Sequence, residues 1–360
     1  MTINELQSKT IDYLRFPLIL GVILIHSYSK NVTFSGVDIS LAEGYPINYI
    51  VQNLFSRVIG MFCVPVFFFM SGFLFFLNCE IDFPRYKCKI NNRIKTLLIP
   101  YLFWNLLVLF LYFVIQSIPF ISTSFSVNQP LIKNYSFFDY INAFWGFDDG
   151  KPIAYQFWFI RDLFIVSLLT PLLKRIFSYF KYWGILSLGV IWYFNSLLII
   201  PEYILTAFFF FSFGAYFSYN KMNFISFFRK YFVFFLVVYP IIAIIDLFTE
   251  GMIYNPYIHN LNILAGLIFS FNIVSFFIEK NVIHNRKDLS QASFFVFAMH
   301  EPLLAFIRKI LFKFLSPNTE IILLVIYFAG MIITACIILF IYSYLKNYLP
   351  RILLFTTGKV

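Results

Sequence analysis

The sequence predicts an all-α polytopic membrane protein of about ten spanning helices, one integral-membrane domain over residues 1–360, with both termini on the cytoplasmic side. Three observations carry this expectation. Of the 360 residues, 61% are hydrophobic and only 12% are charged, whereas an ordinary soluble domain carries about 25% charged residues. A chain so poor in charge cannot cover a surface facing water, while lipid accepts its apolar side chains directly. The apolar residues fall in runs close to the ~20 residues that a span needs. The Lys and Arg residues cluster between alternate runs, as cytoplasmic loops require.

The runs lie at 13–29, 55–77, 97–118, 158–173, 182–200, 203–219, 231–248, 260–278, 293–312 and 321–345. The fourth opens on Arg161 and Asp162, and the fifth and sixth are parted only by a tight connection at Pro201. With the N-terminus inside, 19 of the 27 Lys and Arg fall on the inner side. That bias selects an even number of spans. It also explains the net charge of +10 without a nucleic-acid partner, leaving membrane lipid as the partner. The 52 phenylalanines read as lipid-facing residues rather than a cofactor box. Cys63, Cys79, Cys88 and Cys336 contain no Cys-x-x-Cys pair, so neither a metal site nor a disulfide framework is expected.

Two outer segments, 30–54 and 119–157, are long and polar, and long loops often carry function. The stretch Asp139–Asp149 is expected along the membrane surface or over a cavity. His259 and His284 fall outside the apolar runs and read as solvated loop residues.

An ionisable residue inside a span is costly and marks a functional candidate. The first run holds Arg15, Pro17 and His26, with Asp12 at its mouth. Arg15 and His26 are 11 residues apart, three helical turns plus about 20°, so both project from nearly one face about 16 Å apart along the axis. Asp12 adds to the same stripe, one turn below Arg15. The stripe would lead from the cytoplasmic mouth to an imidazole deep in the span. The plainer alternative is an interfacial Asp12–Arg15 ion pair with His26 bonded to a neighbouring helix.

In the second run, Ser71-Gly72 interrupts a phenylalanine tract, and small residues let two helix backbones approach closely. The basic stretch Arg85–Lys95 could hold a phosphorylated ligand or anionic lipid. Trp158 is a normal interface aromatic, but Arg161-Asp162 beside it suits a sugar contact, the gate of a cavity or a structural pair. The ninth run carries His300-Glu301-Pro302. Pro302 removes a helix N–H, and the two ionisable groups there must face protein or water.

In this order the pieces resemble the acyltransferase 3 family of membrane O-acyltransferases. Arg15 and His26 fit its first-helix spacing, after an opening Asp12-Tyr13-Leu14-Arg15. Phe68–Phe73 resembles its Ser-Gly element, and Arg93–Tyr101 its basic entry to the third helix. Trp158–Leu163 with Pro171 resembles the branch of bacterial polysaccharide O-acetyltransferases, and Ser293–Leu303 the family's late histidine-proline segment. Where many members have a second arginine, this chain has Thr96, and Lys95 is the nearby cation.

The resemblance implies an acyl-CoA donor, acetyl-CoA first, and no metal. It implies donor contacts at Arg15, Arg93, Lys95 and Ser71, and His26 as base or acyl carrier with Glu301 and His300 as further catalytic candidates. It also implies Trp158, Arg161 and Asp162 as substrate contacts, a glycan or lipid-linked sugar as acceptor, and the cytoplasmic (inner) membrane as location. A transporter or flippase for lipid-linked sugars is the alternative, and a scaffold without chemistry a third.

Overall fold

A computed structural model describes residues 1–34, 37–77, 82–118, 130–198 and 201–358. Cys79, Lys359 and the stretch 119–129 of the second outer segment lie outside the described residues. The chain is almost wholly helical. Helix α1 spans Ile3–Ser27. Strands β1 (Asn31–Phe34) and β2 (Val37–Ser40) form an antiparallel hairpin in the first outer segment. There follow α2 (Pro46–Phe76), α3 (Phe83–Ser117), α4 (Phe137–Trp145), α5 (Tyr155–Leu168), α6 (Thr170–Phe180), α7 (Tyr182–Tyr193), α8 (Glu202–Tyr219) and α9 (Phe224–Arg229). The chain continues through α10 (Phe232–Phe248), α11 (Asn255–Glu279), α12 (Lys287–Leu315), α13 (Glu320–Tyr348) and α14 (Pro350–Thr357).

Among the described residues α1, α2, α3, α11 and α13 are long and apolar enough to cross a membrane, with a sixth if α5 and α6 form one broken span. Helices also stand at the other expected positions. There α7, α8 and α10 have 12, 18 and 17 residues, short of the ~20 of a full crossing. Helix α12 is long enough but carries Glu301, Arg308 and Lys309.

The chain divides into two compact units, one of Met1–Glu80 with Leu172–Tyr344 and one of Ile81–Pro171 with Leu345–Val360. In the larger unit α1 begins earlier than its apolar run. Thr2 caps it through the Glu5 amide, and Glu5 bonds back to the Thr2 amide, a capping box that satisfies two N-terminal donors. The helix then ends at Ser27, before an extended Tyr28. His26 therefore lies in the last turn of α1 rather than deep within it.

Helix α2 returns along α1. A Cβ on Gly60 would meet Ile25, and one on Gly21 would meet Cys63. The segment Asn53–Ile59 of α2 is π-helical, a form that often marks functional sites. Further along, α2 packs on α8 through one motif used twice. Gly72 lies against the Phe211 carbonyl and Gly214 against the Phe69 carbonyl, and a Cβ on either glycine would stand 1.9 Å from that oxygen. Each helix thus presents Phe-x-x-Gly to the other, and the close approach expected at Ser71-Gly72 is made by Gly72.

Phe69 heads the surrounding core, its ring centroid within 5.9 Å of those of Phe213, Phe217, Phe224, Phe228 and Phe271. Many phenylalanines therefore fill the protein interior rather than face lipid. His259 is no loop residue either: it lies in α11, and its Nδ1 is 2.9 Å from Asp246 of α10. His284 is exposed in the connection before α12, as expected.

Gly72→Val should destabilise the protein by about 1–3 kcal/mol or more, as overpacking against rigid backbone does. Thermal denaturation of the detergent-solubilised protein checks this. Gly44→Ala, at a site with nothing within 4 Å of the new Cβ, should leave the midpoint unchanged.

Candidate functional site

The larger unit brings three of the expected residues together where the end of α1 meets the middle of α12. His26 Nδ1 lies 3.9 Å from Glu301 Oε1, with side-chain exposures of 17% and 14%. The imidazoles of His26 and His300 are 5.2 Å apart between centroids, tilted by 37°. His300 is fully buried. Its Nδ1 is 2.6 Å from the Phe297 carbonyl, which can only accept, so Nδ1 carries the proton and Nε2 the lone pair. That Nε2 has no partner among the described residues. Such an atom is costly to leave unmet.

The local sequence explains this placement. His300 and Glu301 are consecutive, so they point about 100° apart. The first turns fully inward and the second half-way, each reaching His26 from a different side. Pro302 offers no N–H to the carbonyl one turn back, which loosens the backbone ladder at this level.

Around them a set of polar residues fixes the end of α1. Ser56, in the π-helical stretch, donates to the Leu24 carbonyl at 2.6 Å and lies 2.6 Å from the Tyr327 hydroxyl of α13. Since Ser56 spends its proton on Leu24, Tyr327 is the donor to Ser56. Arg308 of α12 donates to Ser29 Oγ at 2.6 Å, and the Ser29 amide donates to Gln52 at 3.2 Å. Sequence reading did not single out Ser56, Tyr327, Gln52 or Arg308 as site residues, because each residue type is ordinary near a helix end.

Arg15 lies on α1 about 16 Å from His26 by helix rise and pairs with Asp12 at 3.2 Å, both side chains more than a third exposed. The expected ion pair and the accessible cation are thus both present. Extending the α1–α2 register set by Gly60–Ile25 and Cys63–Gly21 puts the half-buried Ser71 level with Asp12–Arg15 rather than with His26.

The remaining candidates belong to the smaller unit. Half-buried Arg93 ends the first helical stretch of α3, and exposed Lys95 lies in the π-helical stretch Ile94–Leu98. The Lys95–Thr96 backbone packs directly against Gly358, and Trp104 donates to the Thr356 carbonyl at 3.0 Å. Arg161 and Asp162 are buried, with Nε to Oδ1 at 2.8 Å. Arg161 also donates to the Trp145 carbonyl and lies over the Trp145 ring, while Tyr101 donates to the Phe144 carbonyl. Both groups thus cap the carbonyl end of α4, which suits the expected structural pair. Trp158 begins the α-helical part of α5 and is half-buried.

A family model described as an acyltransferase domain matches residues 8–341, a range that takes in every candidate above. No curated protein and no solved structure matches the chain.

Arg161→Lys keeps the charge but loses the planar fork that reaches Asp162 and Trp145 together. It should raise amide hydrogen exchange about tenfold or more across α4, leaving α11 unchanged, as read by mass spectrometry of peptides covering each helix.

Proposed function

This chain belongs to the acyltransferase 3 family, and from that premise we propose that it moves an acyl group, acetyl first, from cytoplasmic acyl-CoA to a hydroxyl of a cell-surface glycan or its lipid-linked precursor. Membership of the family indicates membrane acyltransferase activity, and the apolar helices make the protein a multi-pass membrane protein. The observation that carries the reading is the meeting of His26, Glu301 and His300 on two packed helices, with Arg15 lower on the first.

The residues present fit a donor of this kind. His300 Nε2 is a buried acceptor without a partner among the described residues, and Arg15 keeps an accessible guanidinium midway along α1. Bound acyl-CoA supplies the thioester carbonyl that is attacked. Within the larger unit Arg15 offers a cation to its phosphates on the cytoplasmic side and Ser71 lines the approach; Arg93 and Lys95 are the smaller unit's candidates for holding phosphate. Lys95 does this as a point charge, without the two-pronged grip of an arginine.

His26 serves as general base. Glu301 beside Nδ1 favours the tautomer with the proton there, leaving Nε2 to accept the acceptor's hydroxyl proton. Glu301 then stabilises the imidazolium, and the carbonyl end of α1 adds to this through the helix dipole. The proton held on His26 is returned to the departing thiolate. His300 packs against the base and fixes its plane. Arg161 and Asp162 hold α4 in place near Trp158 for the acceptor.

The same reading sets ten crossings, with both termini cytoplasmic and the protein in the inner membrane. It is supported by the alternating Lys and Arg bias and by α2 returning along α1.

The test uses vesicles carrying the purified protein, radiolabelled acetyl-CoA and glycan acceptors. His26→Ala should lower acyl transfer by about 10²–10⁴-fold, the usual contribution of a general base, and Glu301→Gln by a smaller factor. Equal transfer by wild type and His26→Ala would remove His26 from the chemistry. Movement of lipid-linked sugar that persists without acyl-CoA would favour a flippase instead.

A further inference from the structure

The end of the larger unit at which α1 finishes carries a second polar cluster, unused in the chemistry above. A cavity of about 490 Å³ lies there, between the π-helical stretch, residues 195–198 after α7, the start of α8, the end of α10 and the start of α11. Small-molecule sites run from about 300 to 1,000 Å³.

Its charged groups are largely spent on one another. His259 Nδ1 lies 2.9 Å from Asp246 Oδ2, and Asn255 donates to Asp246 Oδ1 at 3.0 Å and to its carbonyl at 3.1 Å. Asp246 is 3% exposed, while the His259 side chain is 21% exposed. The buried carboxylate therefore orients the imidazole and leaves Nε2 as its acceptor atom. Glu250 lies 3.4 Å from Arg57 and accepts from Asn53 at 2.6 Å.

Two amides in the wall remain unmet. Asn195 Nδ2 and Asn53 Oδ1, one donor and one acceptor, are buried without a partner among the described residues. Buried polar atoms of this kind are normally satisfied by protein, water or ligand.

The chemistry of the wall narrows the ligand. Asp246, Glu250 and Glu202 outnumber Arg57 as charges, which disfavours an anion. Asp246 and Glu250 already have partners, and no three His, Cys, Asp or Glu side chains converge as metal ligands among the described residues. What remains is a set of neutral donors and acceptors beside apolar Met61, Leu198 and Pro256. That mixture suits a ring with hydroxyls on its edge and C–H groups on its faces.

We propose that this cavity binds an uncharged sugar ring, with His259, positioned by Asp246, accepting from a ring hydroxyl and Asn195 donating to another. The π-helical stretch links this site to the first one. Asn53 and Arg57 line the cavity, while Ser56 in the same stretch bonds the Leu24 carbonyl two residues before His26. That the bound sugar is the acyl acceptor rests on the function proposed above; that a sugar binds does not.

Saturation-transfer NMR on the protein in nanodiscs, without acyl donor, tests this with methyl glucoside, methyl galactoside, methyl N-acetylglucosaminide and maltotriose. At least one probe should receive saturation, with affinity lowered tenfold or more by His259→Phe and, independently, by Asn195→Leu. Gly44→Ala, outside the cavity wall, should bind as wild type does. No transfer above empty nanodiscs for any probe overturns the proposal, as does unchanged binding in both cavity variants. A protein that binds sugar but transfers no acyl group upholds the cavity and removes only the acyltransferase reading.

Discussion

Two imidazoles and a carboxylate cannot be left facing hydrocarbon, and the packing of α12 on α1 answers that constraint. Glu301 turns toward His26, His300 spends one nitrogen on its own helix backbone, and Arg308 reaches Ser29 two residues beyond the end of α1. The rest of the larger unit follows from this contact. Once α12 is fixed against α1, α13 must bring Tyr327 to Ser56, and α2 must lie where Ser56 meets Leu24. The site is thus enclosed by three helices other than its own first one, each joined by a hydrogen bond that lipid could not supply.

A second, apolar constraint holds the other side of α2. Its Phe-x-x-Gly face fits the Phe-x-x-Gly face of α8 so closely that neither glycine tolerates a side chain. Without water to drive helices together in lipid, close backbone approach of this kind supplies dispersion contacts instead. The Phe69 cluster then fills the space on the flank of that contact with rings from α8, α9 and α11. Polar bonds fix one half of α2 and packing fixes the other.

Much of this was legible in the sequence, and the reasons are local. A polar residue in an apolar run stands out, so Arg15, His26, His300 and Glu301 could be named and their helices placed. The spacing of Arg15 and His26 fixed their separation, because helix rise is regular. What was not legible depends on partners distant in sequence. Nothing near Gly214 says that it mirrors Gly72. The sequence could name Glu301 as a candidate, but only packing sets it beside His26 and sets Asp246 beside His259. Hydropathy also misjudged the start of α1, since Thr2 and Glu5 begin the helix in a polar stretch. It missed the β1–β2 hairpin, whose short strands lie in a segment read only as a loop. Arg161 and Asp162 were visible as a pair, yet their hold on the end of α4 needed coordinates.

The smaller unit is built from a central stretch of the chain and from its last residues. Helix α14 supplies the Thr356 carbonyl to Trp104 and sets Gly358 against the Lys95–Thr96 backbone. During synthesis, residues 81–171 leave the ribosome long before that helix exists. The basic segment around Arg93 and Lys95 must therefore wait for its contact with Gly358 while residues 172–344 of the larger unit are made and inserted. The Lys95–Thr96 backbone meets Gly358 only after every residue of the histidine site has been made, so a ribosome that stalls between Tyr344 and Gly358 leaves the larger unit complete while that contact is still missing.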